Sequence, residues 1–131
     1  MTANRAFFDT NILLYLLSDD TKADKAEALI AMGGVVSVQV LNEFASVAFR
    51  KLKMTWSEIR EILATIRAIC EVIPVTVEIH EAGLAIAERY RLSLYDSLIL
   101  AAAAKAECRI VYSEDIQDGQ VLQNITICNP F

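Results

Sequence analysis

The sequence predicts an α/β domain with a mainly parallel sheet and helices on both of its faces. Two observations carry this. Short apolar runs rich in β-branched or aromatic residues, such as VVSV (35–38) and RIVYS (109–113), alternate with stretches of helical periodicity, such as 55–70 and 77–91. Parallel strands need a crossover between them, and helices supply it. Hydrophobic residues also make up 55% of the 131 positions, against only four Gly and two Pro, which describes one packed core. No linker, repeat or low-complexity segment interrupts it, so residues 1–131 are read as one domain.

The elements follow in order. RAFFD (5–9) reads as a short buried strand ending in an acid. NILLYLLS (11–18) opens an apolar helix with Asn11 as its cap. TKADKAEALIAM (21–32) is an amphipathic helix stopped by Gly33-Gly34, and VVSV is a strand. VLNEFASVAFRKLK (40–53) and TWSEIREILATIRAIC (55–70) are helices, the second opened by a Thr55/Glu58 capping box. VIPVT (72–76) is a strand that Pro74 places at an edge. Residues 77–91 and about 94–106 are helical, RIVYS is a strand, EDIQDG a loop and NITICN (124–129) the last strand.

Several function classes are excluded or disfavoured. The longest apolar runs fall well short of the roughly 18 residues a spanning helix needs, so no membrane role is expected. The opening MTANRAFFD has one Arg and then an early Asp, unlike a signal peptide. Three cysteines without ligand spacing suit a reduced, cytoplasmic protein and argue against structural zinc. The single histidine, His80, leaves no material for His-based triads and reads as a half-exposed helix residue. The net charge of −5 sits awkwardly with nucleic-acid binding, although local patches and bound cations matter more than the sum.

The acids carry the chemistry. Asp96 stands in SLYDSLILAAAA, where Leu92, Tyr95, Ile99, Leu100 and Ala103 recur at helical spacing, so a buried mid-helix carboxylate is expected. An isolated charge there costs several kcal/mol or more unless something compensates it. Asp9 and Asp115 follow strands at their carboxyl ends, where α/β sites form, and Glu43 shares a helix face with Val40, Phe44 and Val47. Taken singly, Asp9 fits a helix cap, Glu43 one half of an ion pair and Asp115 a loop. As a set with no obvious basic partner, they call for a cation. Oxygen ligands without His or Cys select Mg²⁺ or Mn²⁺, which suits phosphodiester hydrolysis by a metal-activated water.

FFDTN (7–11), LNEF (41–44), YDSLILAAA (95–103) and YSEDIQDG (112–119), in that order, resemble the PIN domain, and in particular the small VapC-type toxins of toxin–antitoxin pairs. The closing NITICNPF is similar to the family's last strand. The resemblance implies a five-stranded parallel sheet and a metal-dependent endoribonuclease. It places metal at Asp9, Asp96 and Asp115, with Glu43 either holding metal or orienting the attacking water. Thr10, Asn11 and Ser113 would fix the carboxylates by hydrogen bonds. Ser113 stands where the family has Thr, and Asp118 fills the second acidic place of that motif, its direct contact with metal left open. Glu114 is an extra acid between them.

The resemblance also implies an RNA substrate, a cognate antitoxin and a homodimer. Arg50, Lys51 and Lys53 form the densest basic stretch, and Arg60 and Arg67 share a face of the next helix. They serve as RNA contacts or as ordinary solvated charges. NILLYLL and Trp56 fit either a partner surface or core packing. Two rivals stand beside the nuclease. An aspartate-based phosphotransferase lacks its second acid, because residue 11 is Asn. A non-catalytic PIN-like RNA- or protein-docking module is the stronger rival, although all four acids are present.

Overall fold

A computed structural model describes residues 5–131. Residues 1–4, the start of the stretch weighed as a leader, lie outside the described residues. The chain runs β1 (Ala6–Phe8), α1 (Thr10–Leu14), a 3-10 turn (Tyr15–Leu17), α2 (Thr21–Ala31), β2 (Val35–Ser37), α3 (Val38–Arg50) and α4 (Trp56–Ile69). It continues through β3 (Glu71–Ile73), α5 (Val77–Tyr90), α6 (Leu94–Lys105), β4 (Ile110–Tyr112), β5 (Val121–Leu122) and β6 (Ile125–Cys128).

The sheet order is β3-β2-β1-β4-β6-β5. Five strands are parallel, as expected, and β5 pairs antiparallel with β6 to make a sixth. This extra strand corrects the five-stranded expectation. It is two residues long, joined to β6 by Gln123-Asn124, both at positive φ (51° and 67°), the conformation of a tight two-residue hairpin. Pro74 directly follows the edge strand β3, which it ends.

From β1 the chain steps to β2 and β3, then returns across the sheet to β4 on the other side of β1. Right-handed crossovers put α1–α4 on one face and α5–α6 on the other, with the reversal between β1 and β4. Phe7, Phe8, Val35, Val36, Val111 and Ile127 fill the sheet core at 0–1% exposure. Gly83 lets α5 approach α6, since a Cβ there would stand 2.6 Å from Leu98 Cδ2. At Gly34 a Cβ would meet the Phe8 ring at the same distance.

Local signals explain the helix starts. The capping box of α4 forms as read, with Thr55 Oγ1 accepting the Glu58 N–H and Glu58 accepting the Thr55 N–H. Gly33 (φ +83°) ends α2 in the left-handed conformation. Two starts differ from expectation. Asp9, not Asn11, is the N-cap of α1 and accepts the Thr10 N–H. Helix α3 begins at Val38 rather than Val40, because Ser37 ends β2 and caps the helix at once. No described helix is long and apolar enough to cross a membrane, and the three cysteines are free thiols. His80 is exposed on α5.

Candidate active site at the carboxyl edge of the sheet

The register builds the site. Phe8 is level with Tyr112, so Asp9 and Ser113 leave adjacent strands side by side at the reversal point, and the Asp9 N–H donates to the Tyr112 carbonyl (3.0 Å). Asp9 is 5% exposed, and Ser113 is fully buried. Ser113 Oγ donates to Asp9 Oδ2 (2.7 Å) and accepts the N–H groups of Asp115 (3.1 Å) and Ile116 (3.3 Å). One hydroxyl therefore ties the first acid to the loop that carries the last.

Asn11 provides the second tie. Its Nδ2 donates to Asp9 Oδ2 (3.4 Å) and to Asp115 Oδ2 (3.1 Å), while its Oδ1 accepts the Glu114 N–H (3.1 Å). Glu43, half-buried on α3, accepts from Thr10 Oγ1 (3.1 Å) and from Gln39 Nε2 (2.7 Å). Gln39 also donates to the Tyr95 carbonyl (3.4 Å), which joins α3 to the start of α6.

Asp96 corrects its expectation. It lies in the first turn of α6, not mid-helix, and is half-buried rather than buried. Ser93 caps the helix by accepting the Asp96 N–H (3.1 Å). The apolar periodicity that suggested a buried setting belongs to the turns that follow, where Leu98 to Ala103 are buried. Asp115 is exposed, so of the four acids only Asp9 is truly interior.

The four acids sense one another. Burial pushes Asp9 up to about 6, against hydrogen bonds from Ser113 and Thr10, and the charges of Asp115 and Asp96 raise it further. Asp96 is also raised, by burial first and then by Asp115 and Glu43, while Ser93 opposes the shift. Among the described residues, no ion pair involves Asp9, Glu43, Asp96 or Asp115. The donor set is all oxygen and negative, and no base offsets it, which fits a hard divalent cation. Among the described residues no three acidic, His or Cys side chains stand close enough together to hold a metal ion as they are placed. An open arrangement of this kind suits an ion that keeps several waters.

Other sequence candidates fall outside the group. Asp118 is exposed, and its Oδ1 accepts the Asn129 N–H (2.7 Å). Glu114 faces away, bound by Tyr15 Oη (2.7 Å) and Lys22 Nζ (3.3 Å), which hold it below the usual carboxylate range. Arg50, Lys51, Lys53, Arg60 and Arg67 are exposed and form no ion pair with the acids. Of the apolar candidates, Ile12 and Leu13 are core, whereas Leu14 and Leu17 line a groove beside Asn11 together with Val47 and Leu52 of α3 and its following turn. Trp56 is 52% exposed and stacks on Phe49 at 4.1 Å.

Gln39, Tyr15 and Lys22 were not singled out by sequence reasoning. Gln39 had a signal: it precedes Glu43 by four residues on one helix. Tyr15 was hidden inside an apolar run, and Lys22 in an ordinary amphipathic helix.

An α/β domain whose carboxyl edge gathers unpaired acids at its reversal point places a candidate site where ligands of such folds bind. The family model of the PIN domain matches residues 6–118, and the chain belongs to that family. Three solved structures share the fold. A toxin–antitoxin complex from Klebsiella pneumoniae superposes with a TM-score of 0.74 at 21% identity, covering 96% of this chain and 98% of the other. VapC20 of Mycobacterium tuberculosis, a Sarcin-Ricin loop cleaving toxin, gives 0.67 at 22%, covering 84% and 89%. VapBC2 from Rickettsia felis, bound to a DNA fragment from its promoter, gives 0.65 at 18%, covering 93% and 96%. No curated protein matches the sequence.

Proposed function

We propose that the protein is a Mg²⁺- or Mn²⁺-dependent endoribonuclease, the toxin of a VapBC-like toxin–antitoxin pair acting in the cytoplasm. The observation that carries this is the gathering of Asp9, Glu43, Asp96 and Asp115 at one sheet edge, with no base paired to any of them among the described residues. PIN-family membership and the likeness to toxin folds support it.

In this reading Asp9, Asp96 and Asp115 hold the metal. A bound divalent ion supplies an activated water and offsets charge on the phosphate. Asn11 and Ser113 keep Asp9 and Asp115 in one orientation by donating to Asp9, while Asn11 also donates to Asp115. Thr10 and Gln39 each donate to a different oxygen of Glu43, which leaves both oxygens a lone pair to receive water. Arg50, Lys51, Lys53, Arg60 and Arg67 draw RNA along α3 and α4. An antitoxin covers the apolar groove beside Asn11, and the toxin pairs as a homodimer.

The test is cleavage of total cellular RNA by the purified chain with Mg²⁺, Mn²⁺ or EDTA, beside Asp96→Asn. Discrete fragments are expected with metal, none with EDTA, and a loss of about 100-fold or more in the variant, typical of a removed catalytic group. Metal-independent cutting, or equal activity of the variant, overturns the assignment. A folded wild-type chain that binds RNA but never cuts it favours the docking module instead.

A further inference from the structure

We propose that Tyr15, Lys22 and Glu114 form a positioning clamp that sets where Asp115 stands relative to Asp9. The proposal rests on the reading of these carboxylates as a metal-dependent nuclease site.

Asp115 is exposed and sits on a loop, so its carboxylate needs ties to hold one place. Asn11 grips it directly and grips the preceding residue by its backbone, through the Glu114 N–H. Tyr15 follows Asn11 by four residues and therefore lines up with it along the same face. Its hydroxyl donates to Glu114 Oε1 (2.7 Å). Two points one helical turn apart thus hold Glu114 by its main chain and its side chain, which fixes the direction in which the chain enters Asp115.

Lys22 completes the arrangement. Its ammonium reaches Glu114 Oε2 (3.3 Å) and Tyr15 Oη (3.2 Å), and it lies over the rings of Tyr15 (4.7 Å) and Phe131 (5.6 Å). Tyr15 and Phe131 pack edge to face at 4.6 Å. A half-exposed ion pair adds little to stability. Its consequence is geometric and electrostatic: it keeps an extra acid, one residue from Asp115, turned away and neutralised, so that Glu114 does not compete as a ligand.

The test compares wild type with Glu114→Ala, Glu114→Gln, Tyr15→Phe, Lys22→Met and the Tyr15→Phe/Glu114→Ala double variant. Two readouts are independent of catalysis. In metal-free protein, the solvent exchange of the Asn11 side-chain amide protons is followed by NMR. Mn²⁺ affinity is then measured by electron paramagnetic resonance. The Glu114→Ala variant is expected to speed Asn11 exchange and to raise the Mn²⁺ Kd about tenfold, the lower end for lost outer partners of a ligand. Glu114→Gln keeps an acceptor for Tyr15 and falls between. The double variant is no worse than Glu114→Ala, because both act through one contact. If melting falls while Asn11 exchange and Mn²⁺ affinity stay at wild-type values, the clamp is overturned. If wild type binds no Mn²⁺ yet Glu114→Ala still frees Asn11, the clamp stands and the metal reading fails.

Discussion

Asp9 shows how one side chain is placed against its own comfort. It caps α1, accepts from Thr10 and Ser113, and is still pushed from 3.8 up to about 6, because burial outweighs those bonds. An acid raised in the folded state favours folding while both states hold the proton, and loses that advantage as pH rises from the unfolded value to the folded one. The metal-free protein therefore loses about 3 kcal/mol at Asp9 between about pH 4 and pH 7. Asp9→Asn removes the loss. In EDTA, urea unfolding should find the variant more stable than wild type by up to about 3 kcal/mol at pH 7.5, with the gain gone near pH 3.5. An equal difference at both pH values means that burial of the charge is not the cause. Asp9 was legible in the sequence because it ends a strand. Its raised pKa was not, because that comes first from burial under the folded chain and then from the charge of Asp115, more than a hundred positions away. Asp96 was found for a reason that proved incomplete: the apolar pattern was real, but it belongs to the turns after the acid.

At the scale of elements, the legible parts were those specified by neighbouring residues. The capping box at Thr55 and Glu58 and the stop at Gly33 are such cases, and both formed as read. The two misread helix starts have a common origin. At Ser37 the last strand residue doubles as the cap of the next helix, and at Asp9 the cap is the single residue between strand and helix, so neither leaves a loop for a boundary signal. Strand β5 escaped because two residues give no alternation, and because Gln-Asn is a weak signature for a turn that needs both central residues at positive φ. That mismatch is correctable. The double change Gln123→Asn, Asn124→Gly supplies the preferred pair and should stabilise the fold by about 1 kcal/mol, since a left-handed residue without special tolerance costs about that much. Thermal melting checks it, and the hairpin's place at the outer edge of the sheet predicts unchanged RNA cleavage. A fall in melting temperature means that the Gln123 side chain has a role beyond its backbone conformation.

For the whole molecule, the question is how a chain of net charge −5 keeps several acids together at one edge. Folding buries Asp9 and Asp96 and leaves their repulsion in place; both are raised, by burial first and by the neighbouring acids second. A cation that binds only the folded state does resolve it, and stabilises by RT ln(1 + [L]/Kd), about 2.7 kcal/mol at a hundred times Kd. In a domain of this size each kcal/mol moves the melting temperature by about 4 °C, so Mn²⁺ at that level should raise wild type by roughly 10 °C. Asp9→Asn begins up to about 3 kcal/mol higher without metal at pH 7.5 and gains little from it, so wild type draws level near a hundred times Kd and the order reverses at about a thousand times Kd, where binding gives about 4.1 kcal/mol. NaCl at matched ionic strength separates site binding from general screening of the acidic surface, which acts on both proteins alike. If Mn²⁺ raises both equally, or NaCl does as much, the acids are not a metal site. If the order reverses, the instability stored at Asp9 in the metal-free chain is the same feature that makes the folded edge hold its ion.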